Sequence, residues 1–289
     1  MRPRRSVLYL PGANERALKK AEALAADALV LDLEDAVAPD AKEAARRRVC
    51  ETVAAAPYGR REVAVRVNGI DTQWHDADVR AVAEVGPDAV VVPKMGSAED
   101  VRRVEDALAE AGAPDHTSVW AMIETPAAVL RAEEIANASS TLTVLVMGTN
   151  DLAKELRAES VPGRAPLLTS LSLCLLAARA AGKSILDGVY NDVRDTAGFE
   201  AECVQARQLG FDGKSLIHPG QLEPCNRVFA PSEAEVEHAR RVVAAFEEAV
   251  AQGRGVITVD GRMVENLHVE QARRVLALAE AVRDRPERD

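Results

Sequence analysis

Short apolar runs that end in polar or charged residues recur along this chain, and this repeat constrains the fold more than any other feature. The clearest example is Leu29-Val-Leu-Asp-Leu-Glu-Asp-Ala-Val37, where an aliphatic run breaks into Asp32, Glu34 and Asp35. Runs of this length are typical of strands buried on both faces. A stretch with helical periodicity follows nearly every run, so the pattern predicts an α/β fold with a parallel sheet.

Eight strand-then-helix units lie between Ser6 and Phe229, with short connections. This count favours a TIM (β/α)8 barrel. A doubly wound open sheet is the alternative, although no Gly-x-Gly-x-x-Gly motif follows the first strand. Active sites of TIM barrels lie at the carboxyl ends of the strands. The polar residues predicted at those ends are Asp32, Glu34, Asp35, Arg66, Lys94, Glu124, Asp151, Asp187 and His218.

The chain of 289 residues divides, by its pattern, into a barrel over residues 1–252 and an extension over residues 253–289. In the extension, Gly253-Arg-Gly255 is predicted to be a hinge and Leu267–Arg283 a helix, after a short apolar run at Val256–Val259. Within the barrel, the polar segment Arg157–Pro166 is predicted to be a surface loop.

Composition excludes several classes of protein. The net charge of −10 argues against a nucleic-acid-binding surface. No apolar run approaches the ~18 residues of a transmembrane helix, and the N-terminal segment lacks the apolar core of a signal peptide. The four cysteines are far apart and predict reduced thiols rather than a disulfide framework or a zinc site. These features favour a cytoplasmic protein.

Two of the strand-end carboxylates are the best candidates for binding a metal ion. Glu124 and Asp151 follow neighbouring strands, and two carboxylates with open positions for water and substrate suit Mg²⁺. The alternative is that each acid caps the helix that follows it.

Arg66 ends the third strand in Val-Arg-Val-Asn. Its guanidinium can bind a carboxylate with two hydrogen bonds or stabilise an enolate oxygen. It can also form a salt bridge with the acids near Asp32, and the two roles are compatible. Strand alternation places Asp32 and Glu34 on the same side, where they would orient Arg66 or hold metal-bound water.

Basic residues follow the ends of the first two strands, where helix N-termini favour phosphate groups. Arg16, Lys19, Lys20 and Lys42 are therefore candidate phosphate ligands. A solvated charged helix face is the competing interpretation for each of them.

Several motifs, taken in order, resemble the HpcH/HpaI aldolase and citrate lyase β-subunit superfamily, and particularly its stand-alone CoA-ester lyases. The matching motifs are Ser-Val-Leu-Tyr-Leu-Pro-Gly12, Leu33-Glu-Asp-Ala-Val37, Val65-Arg-Val-Asn68, Val92-Pro-Lys94, Met122-Ile-Glu-Thr-Pro126, Gly148-Thr-Asn-Asp-Leu152, Gly213-Lys-Ser-Leu-Ile-His-Pro219 and Gly261-Arg-Met-Val264. Together they cover nearly the whole chain.

The resemblance implies a TIM barrel whose C-terminal helical extension lids the site of an adjacent subunit, in a homotrimer or hexamer. It implies Mg²⁺, with Mn²⁺ as a substitute, on Glu124 and Asp151. It also implies that Arg66 binds the substrate. The residues it assigns to the CoA ester are Tyr9, Arg16, Lys20, Lys42, Ile217 and His218.

The activity that the resemblance implies is cleavage of a 3-hydroxy-3-carboxy acyl-CoA into an acyl-CoA and a 2-oxo acid. The substrates would be malyl-CoA, methylmalyl-CoA or citramalyl-CoA. In the family the acid-base residue of the tail motif is commonly Asp, whereas this chain has Glu265. Because of that change, hydrolysis by a malyl-CoA thioesterase that uses the same site is the alternative activity.

Three other interpretations remain open at this stage. One is a citrate lyase β-subunit acting on a carrier-bound thioester inside a complex, and another is a non-enzymatic scaffold. A Schiff-base mechanism would require Lys94, the only lysine predicted at a strand end.

Overall fold

Eight parallel strands close into a barrel in the computed structural model, which confirms the predicted TIM fold. The structure describes residues 2–252 and 256–283. The barrel strands are β1 Ser6–Pro11, β2 Ala28–Asp32, β3 Glu62–Arg66, β4 Ala89–Val92, β5 Ser118–Ile123, β6 Leu142–Met147, β7 Ser184–Asp187 and β8 Gly213–Leu216. Each strand pairs with the next along the chain, and β1 pairs with β8 to close the ring.

Helices follow the strands as the periodicity predicts. They are α1 Glu15–Ala21, α2 Lys42–Ala55, α3 His75–Val85, α4 Ala98–Glu110, α5 Pro126–Leu130, α6 Ala132–Ala136, α7 Thr149–Leu156, α8 Leu168–Ala180, α9 Thr196–Leu209 and α10 Leu222–Phe229, with short 3₁₀ helices at Pro39–Ala41, Pro162–Leu167 and Pro219–Gln221. Side chains of Asn14, Ser97, Thr125 and Asp195 accept a backbone N–H at the starts of α1, α4, α5 and α9. These caps satisfy donors that a helix N-terminus leaves free, which fixes where each helix begins.

Alternate residues of the strands fill the barrel interior with small and branched side chains. The buried cluster comprises Val7, Ala28, Val30, Ala64, Ala89, Val91, Trp120, Met122, Val144, Val146 and Leu186. Because side chains alternate along a strand, the inward series of β2, β3 and β5 continues into Asp32, Arg66 and Glu124. The packed interior therefore ends in a charged layer at the carboxyl ends of the strands.

The segment between α7 and α8 is mostly exposed, as predicted for a surface loop, but Arg164 within it is buried and held by charge. Arg164 is only 8 % exposed and donates to Asp187 Oδ1 at 2.7 Å. Asp187 also accepts from Lys214 Nζ at 2.6 Å, and Lys214 donates to Glu202 Oε1 of α9 at 2.7 Å. These charges explain why a polar segment lies against the outside of β7 and β8.

Contacts divide the chain into two compact units, residues 4–226 and residues 227–289 together with residues 1–3. All eight barrel strands lie in the first unit. The predicted boundary near residue 252 stays a prediction, and the hinge predicted at Gly253-Arg-Gly255 lies outside the described residues.

The described part of the second unit contains a long helix, a hairpin and a final helix. They are α11 Glu233–Ala251, β9 Ile257–Val259, β10 Arg262–Val264 and α12 Asn266–Arg283. Asp260 and Gly261 both have positive φ and form the hairpin turn. Val242, Phe246, Val259 and Val264 are members of the buried cluster of this unit. The last helix was predicted from the sequence, but β10 was not.

Over the described ranges, none of the helices combines the length and the apolar character that crossing a bilayer requires.

Candidate active site

A pocket of about 360 Å³ lies over the carboxyl ends of the barrel strands. Its walls combine charged groups with apolar side chains. It is lined by Tyr9, Leu10, Pro11, Asp32, Asp35, Ala36, Arg66, Met122, Glu124, Met147, Gly148, Thr149, Asn150, Asp151, Val189, Ser215 and Ile217. A pocket at this end of a TIM barrel is the expected location of an active site.

Arg66 is held rigidly by the acids of the β2 loop. Its Nε and Nη2 atoms donate to the two carboxylate oxygens of Asp32, each at 2.6 Å, and Nη1 lies 2.7 Å from Glu34 Oε2. Asp35 is farther away, at 3.8 Å, and mostly exposed. The ring of Tyr9 lies under the guanidinium, with its centroid 5.2 Å from Arg66 Cζ. Burial acts to lower the pKa of Arg66, but Asp32, Glu34 and Tyr9 together outweigh that effect and raise it. The guanidinium therefore stays charged inside the barrel mouth.

Asp32 also organises the loop that follows β2. Its two oxygens accept the backbone N–H groups of Glu34 at 2.9 Å and Ala36 at 3.1 Å. The predicted supporting role of Asp32 and Glu34 thus corresponds to direct contacts with Arg66. Burial raises the pKa of Glu34 to about 6, although Arg66 opposes the shift.

Glu124 is the most perturbed carboxylate of the pocket. It is 3 % exposed, and its Oε1 accepts the backbone N–H of Lys94 at 2.7 Å. Burial raises its pKa to about 8, and the nearby charges of Glu34 and Asp151 add to the increase. A buried carboxylate near two others is stabilised in its charged form by a cation.

Neither Glu124 nor Asp151 caps the helix that follows it. The cap of α5 is Thr125, which accepts from Ala128 N, and Gly148 precedes α7 without a side-chain cap. Glu124 and Asp151 are instead both part of the pocket wall. No group of three or more His, Cys, Asp or Glu side chains suited to a metal is found within residues 2–252 and 256–283. Two carboxylates with open positions fit Mg²⁺, which keeps several waters.

Two buried hydroxyl groups line the pocket without a hydrogen-bond partner among the described residues. They belong to Tyr9 and to Ser215, which is 1 % exposed. Burial raises the pKa of Tyr9, so its hydroxyl stays protonated.

Some predicted substrate ligands lie outside the pocket wall. Lys42 is 6 % exposed, and its Nζ donates to Leu33 O, Glu34 O and Asn68 Oδ1 at 2.7 to 2.8 Å. Its ammonium thus joins the β2 and β3 loops instead of reaching the pocket. The His218 ring accepts from Gly220 N at 3.0 Å and caps the 3₁₀ helix after β8.

Arg16 and Lys20 are exposed on α1, just after β1. Glu265 lies in the second unit, partly buried, and its backbone N–H donates to His268 Nδ1 at 3.0 Å. Ile217 lines the pocket and is 41 % exposed.

Sequence reasoning missed the apolar wall and the small polar groups of the pocket. Met122 precedes Glu124 by two residues and Ser215 precedes Ile217 by two, so strand alternation could have found both. Met147, Thr149 and Val189 carry no comparable signal, because they lie where strands pass into loops or helices.

The chain belongs to the HpcH/HpaI aldolase/citrate lyase family, whose model matches residues 5–219. It is 55 % identical over 280 residues to a (3S)-malyl-CoA thioesterase of Cereibacter sphaeroides, covering 97 % of this chain and 96 % of that protein. It is 42 % identical over 284 residues to the citrate lyase subunit beta of Escherichia coli, covering 96 % and 94 %.

Solved structures show the same architecture. The structure of CitE from Mycobacterium tuberculosis with magnesium, acetoacetate and coenzyme A matches with a TM-score of 0.77 and 31 % identity, covering 95 % of this chain and 97 % of that one. A citrate lyase beta subunit from the same organism, solved with oxaloacetate and magnesium, matches with a TM-score of 0.67 and 31 % identity, covering 78 % and 96 %. These relatives confirm the resemblance inferred from the motifs.

Proposed function

We propose that this protein is a Mg²⁺-dependent thioesterase that hydrolyses malyl-CoA, or a closely related 3-hydroxy-3-carboxy acyl-CoA, to the free acid and CoA. The observation that carries the proposal is the 55 % identity, over 97 % of the chain, to a (3S)-malyl-CoA thioesterase. The charged layer at the strand ends supports it, because it combines cation ligands with a fixed guanidinium. The sequence motifs by themselves favoured carbon–carbon cleavage, with hydrolysis as the alternative.

Glu124 and Asp151 would hold the Mg²⁺ ion. Bound there, the ion supplies Lewis-acid polarisation of a substrate oxygen. Glu124 is well suited to this position because burial and neighbouring carboxylates disfavour its charge in the absence of a cation.

Arg66 would bind the thioester oxygen. A guanidinium has five N–H donors, and hydrogen bonds to Asp32 occupy two of them, while Nη1 forms an ion pair with Glu34. At least two donors remain for a substrate oxygen, on a guanidinium held in place by these carboxylates. Donors fixed in advance stabilise the negative charge that forms when a nucleophile adds to a carbonyl.

In the hydrolytic step, a water oxygen bonds to the thioester carbonyl carbon and gives its proton to a carboxylate. The carbon–sulfur bond then breaks, and the CoA thiolate takes up a proton. We assign the carboxylate role to Glu265, supplied by the extension of an adjacent subunit of a homotrimer or hexamer. Glu34 is the candidate within the barrel, because its raised pKa of about 6 suits proton transfer near neutral pH.

A mixed oligomer tests the assignment of Glu265. Glu124→Gln and Glu265→Gln chains with different affinity tags would be co-expressed and purified through both tags. Each parent should be inactive, and the mixed oligomer should recover a substantial fraction of wild-type activity. Full activity of the Glu265→Gln parent, together with an inactive Glu34→Gln variant, would instead assign the proton-accepting carboxylate to Glu34.

Carbon–carbon cleavage is the second candidate, favoured by the 42 % identity to a citrate lyase subunit beta. In that reaction the hydroxyl proton leaves and the bond between the hydroxyl-bearing carbon and the thioester methylene breaks. The electrons of that bond form the thioester enolate, whose oxygen Arg66 would stabilise, and a proton then completes the acyl-CoA. Malyl-CoA would give acetyl-CoA and glyoxylate, and citramalyl-CoA would give pyruvate.

A product assay separates the two reactions. Malyl-CoA is incubated with the enzyme and Mg²⁺, and free thiol, malate, acetyl-CoA and glyoxylate are quantified. Hydrolysis predicts equal amounts of free CoA and malate. Equal amounts of acetyl-CoA and glyoxylate would instead establish the lyase. Turnover only after a carrier protein is added would indicate a citrate lyase-type subunit, and no turnover under any condition would favour a scaffold.

A further inference from the structure

Lys94 has an unusual backbone conformation at the end of β4. Its φ angle is 52°, in the left-handed region that residues with a Cβ atom seldom adopt. It follows Pro93 directly, and its side chain is exposed. Such a conformation persists only where the surrounding structure imposes it, and it often marks a functional site.

The consequence of this conformation is a single hydrogen bond. The Lys94 N–H donates to Glu124 Oε1 at 2.7 Å, across from β4 to the end of β5. The next amide bonds to backbone instead, because Met95 N donates to Met122 O at 3.2 Å. At the left-handed residue the chain therefore directs one amide toward the Glu124 carboxylate rather than toward the backbone of β5.

Gly148 confines the same carboxylate from another direction. A Cβ atom at this position would collide with both Cβ and Oε2 of Glu124. Glu124 is thus held by an amide at Oε1 and by close backbone packing beside Oε2.

We infer that Lys94 is a positioning residue for the metal site, acting through its left-handed backbone amide rather than through its ammonium group. This inference rests on the proposed role of Glu124 as a Mg²⁺ ligand. Fixing one carboxylate oxygen in the protein leaves the carboxylate a single orientation in which to meet a cation. The Glu124 carboxylate is then already oriented before the ion binds, so binding requires less rearrangement.

The backbone preference of residue 94, not the charge of its side chain, should therefore determine how tightly the protein binds Mg²⁺. Lys94→Gly, Lys94→Ala and Lys94→Val all remove the ammonium, but they differ in their tolerance of positive φ, in the order Gly, Ala, Val. Isothermal titration with Mg²⁺ alone, without thioester, measures the affinity of each variant. We expect Lys94→Gly to bind at least as tightly as Lys94→Ala, and Lys94→Val to bind about fivefold or more weakly than Lys94→Ala.

A kinetic measurement distinguishes positioning from general damage to the fold. The Mg²⁺ concentration for half-maximal turnover should rise in Lys94→Val relative to Lys94→Ala, while kcat at saturating Mg²⁺ stays similar in these two variants. If Lys94→Val fails to fold, Lys94→Asn replaces it, because Asn tolerates the left-handed region and should bind Mg²⁺ more tightly than Lys94→Ala.

The outcomes separate this inference from the proposed function. Equal Mg²⁺ affinities of the Gly, Ala and Val variants, with metal binding retained, would overturn the role of the Lys94 backbone alone. Absence of Mg²⁺ binding in the wild-type protein would overturn both the metal site and this inference. Metal binding in the predicted order without thioester turnover would support the inference while contradicting the proposed reaction.

Discussion

At the scale of single residues, the site depends on how tightly its charged groups are fixed. Arg66 is bound by Asp32 and Glu34, and Glu124 is bound by the amide of Lys94. Groups held in this way need little rearrangement when charge develops on a substrate, and this is the main source of electrostatic catalysis. Substitutions that keep the charge but loosen the geometry should therefore lower kcat/KM or Mg²⁺ affinity.

Replacing Arg66 by lysine tests this point. Lysine keeps the positive charge but cannot form the paired contacts with Asp32 and still present two free donors. We expect kcat/KM to fall by about 100- to 1000-fold, the usual cost of losing an oxyanion donor. Arg46→Lys is the matched control, because Arg46 pairs with Asp78 at 2.6 Å and does not line the pocket. Similar losses in both variants would argue that Arg66 is merely structural.

Gly148→Ala should disturb Glu124 without changing any charge. The added methyl group collides with the Glu124 side chain, and forced overpacking costs about 1–3 kcal/mol. We expect Mg²⁺ affinity, measured by calorimetry, to fall about tenfold. Gly69→Ala is the control, because its nearest neighbours are 3.8 and 4.0 Å from the new Cβ atom. Unchanged affinity in Gly148→Ala would mean that Glu124 does not bind the ion.

At the scale of elements, a buried charge network joins β7, β8, α9 and the loop before α8. Asp187 accepts from Arg164 and Lys214, and Lys214 also contacts Glu202. Although burial opposes the charge of Asp187, the two cations hold its pKa below the ordinary value. Removing one partner of such a network leaves a buried charge poorly compensated.

Asp187→Asn should therefore lower the free energy of unfolding by about 3 kcal/mol at neutral pH. A carboxylate with a depressed folded-state pKa stabilises the protein above its unfolded pKa, and this stabilisation is lost as pH falls through the folded pKa. The difference between wild type and variant should consequently shrink below about pH 4. Denaturant unfolding at several pH values measures it, with the exposed Asp71→Asn as control. A difference that stays constant down to low pH would contradict this account.

The sequence predicted the elements better than the roles of individual side chains. Strand ends such as Arg66 and Glu124 could be identified because alternation and the apolar runs define them. Lys42 and His218 could not be interpreted in the same way, because a strand-end motif does not show whether a donor faces a ligand or neighbouring backbone oxygens. The conformation of Lys94 has no sequence signature, since glycine is the usual residue at positive φ.

At the scale of the whole molecule, the barrel brings residues far apart in sequence to one end, where like charges accumulate. Glu34 and Asp151 raise the electrostatic cost of charging the buried Glu124 carboxylate. A bound cation removes part of this cost. Metal binding should therefore stabilise the fold as well as the reaction.

Thermal or denaturant unfolding with and without Mg²⁺ measures this coupling. At about 100 times the dissociation constant, the ion should add about 2.7 kcal/mol to the free energy of unfolding. Chelation of the ion should abolish turnover and return stability to the metal-free value. The Glu124→Gln variant should show no Mg²⁺-dependent stabilisation, and an undiminished effect in that variant would place the ion elsewhere.

Turnover of malyl-CoA in ¹⁸O-labelled water tests the central claim most directly. Hydrolysis breaks the carbon–sulfur bond and adds one solvent oxygen to the carboxylate that was the thioester. We predict malate with its carbon skeleton intact, carrying one ¹⁸O atom per molecule and formed in step with free CoA. Accumulation of acetyl-CoA without labelled malate would contradict it and identify the reaction as carbon–carbon cleavage.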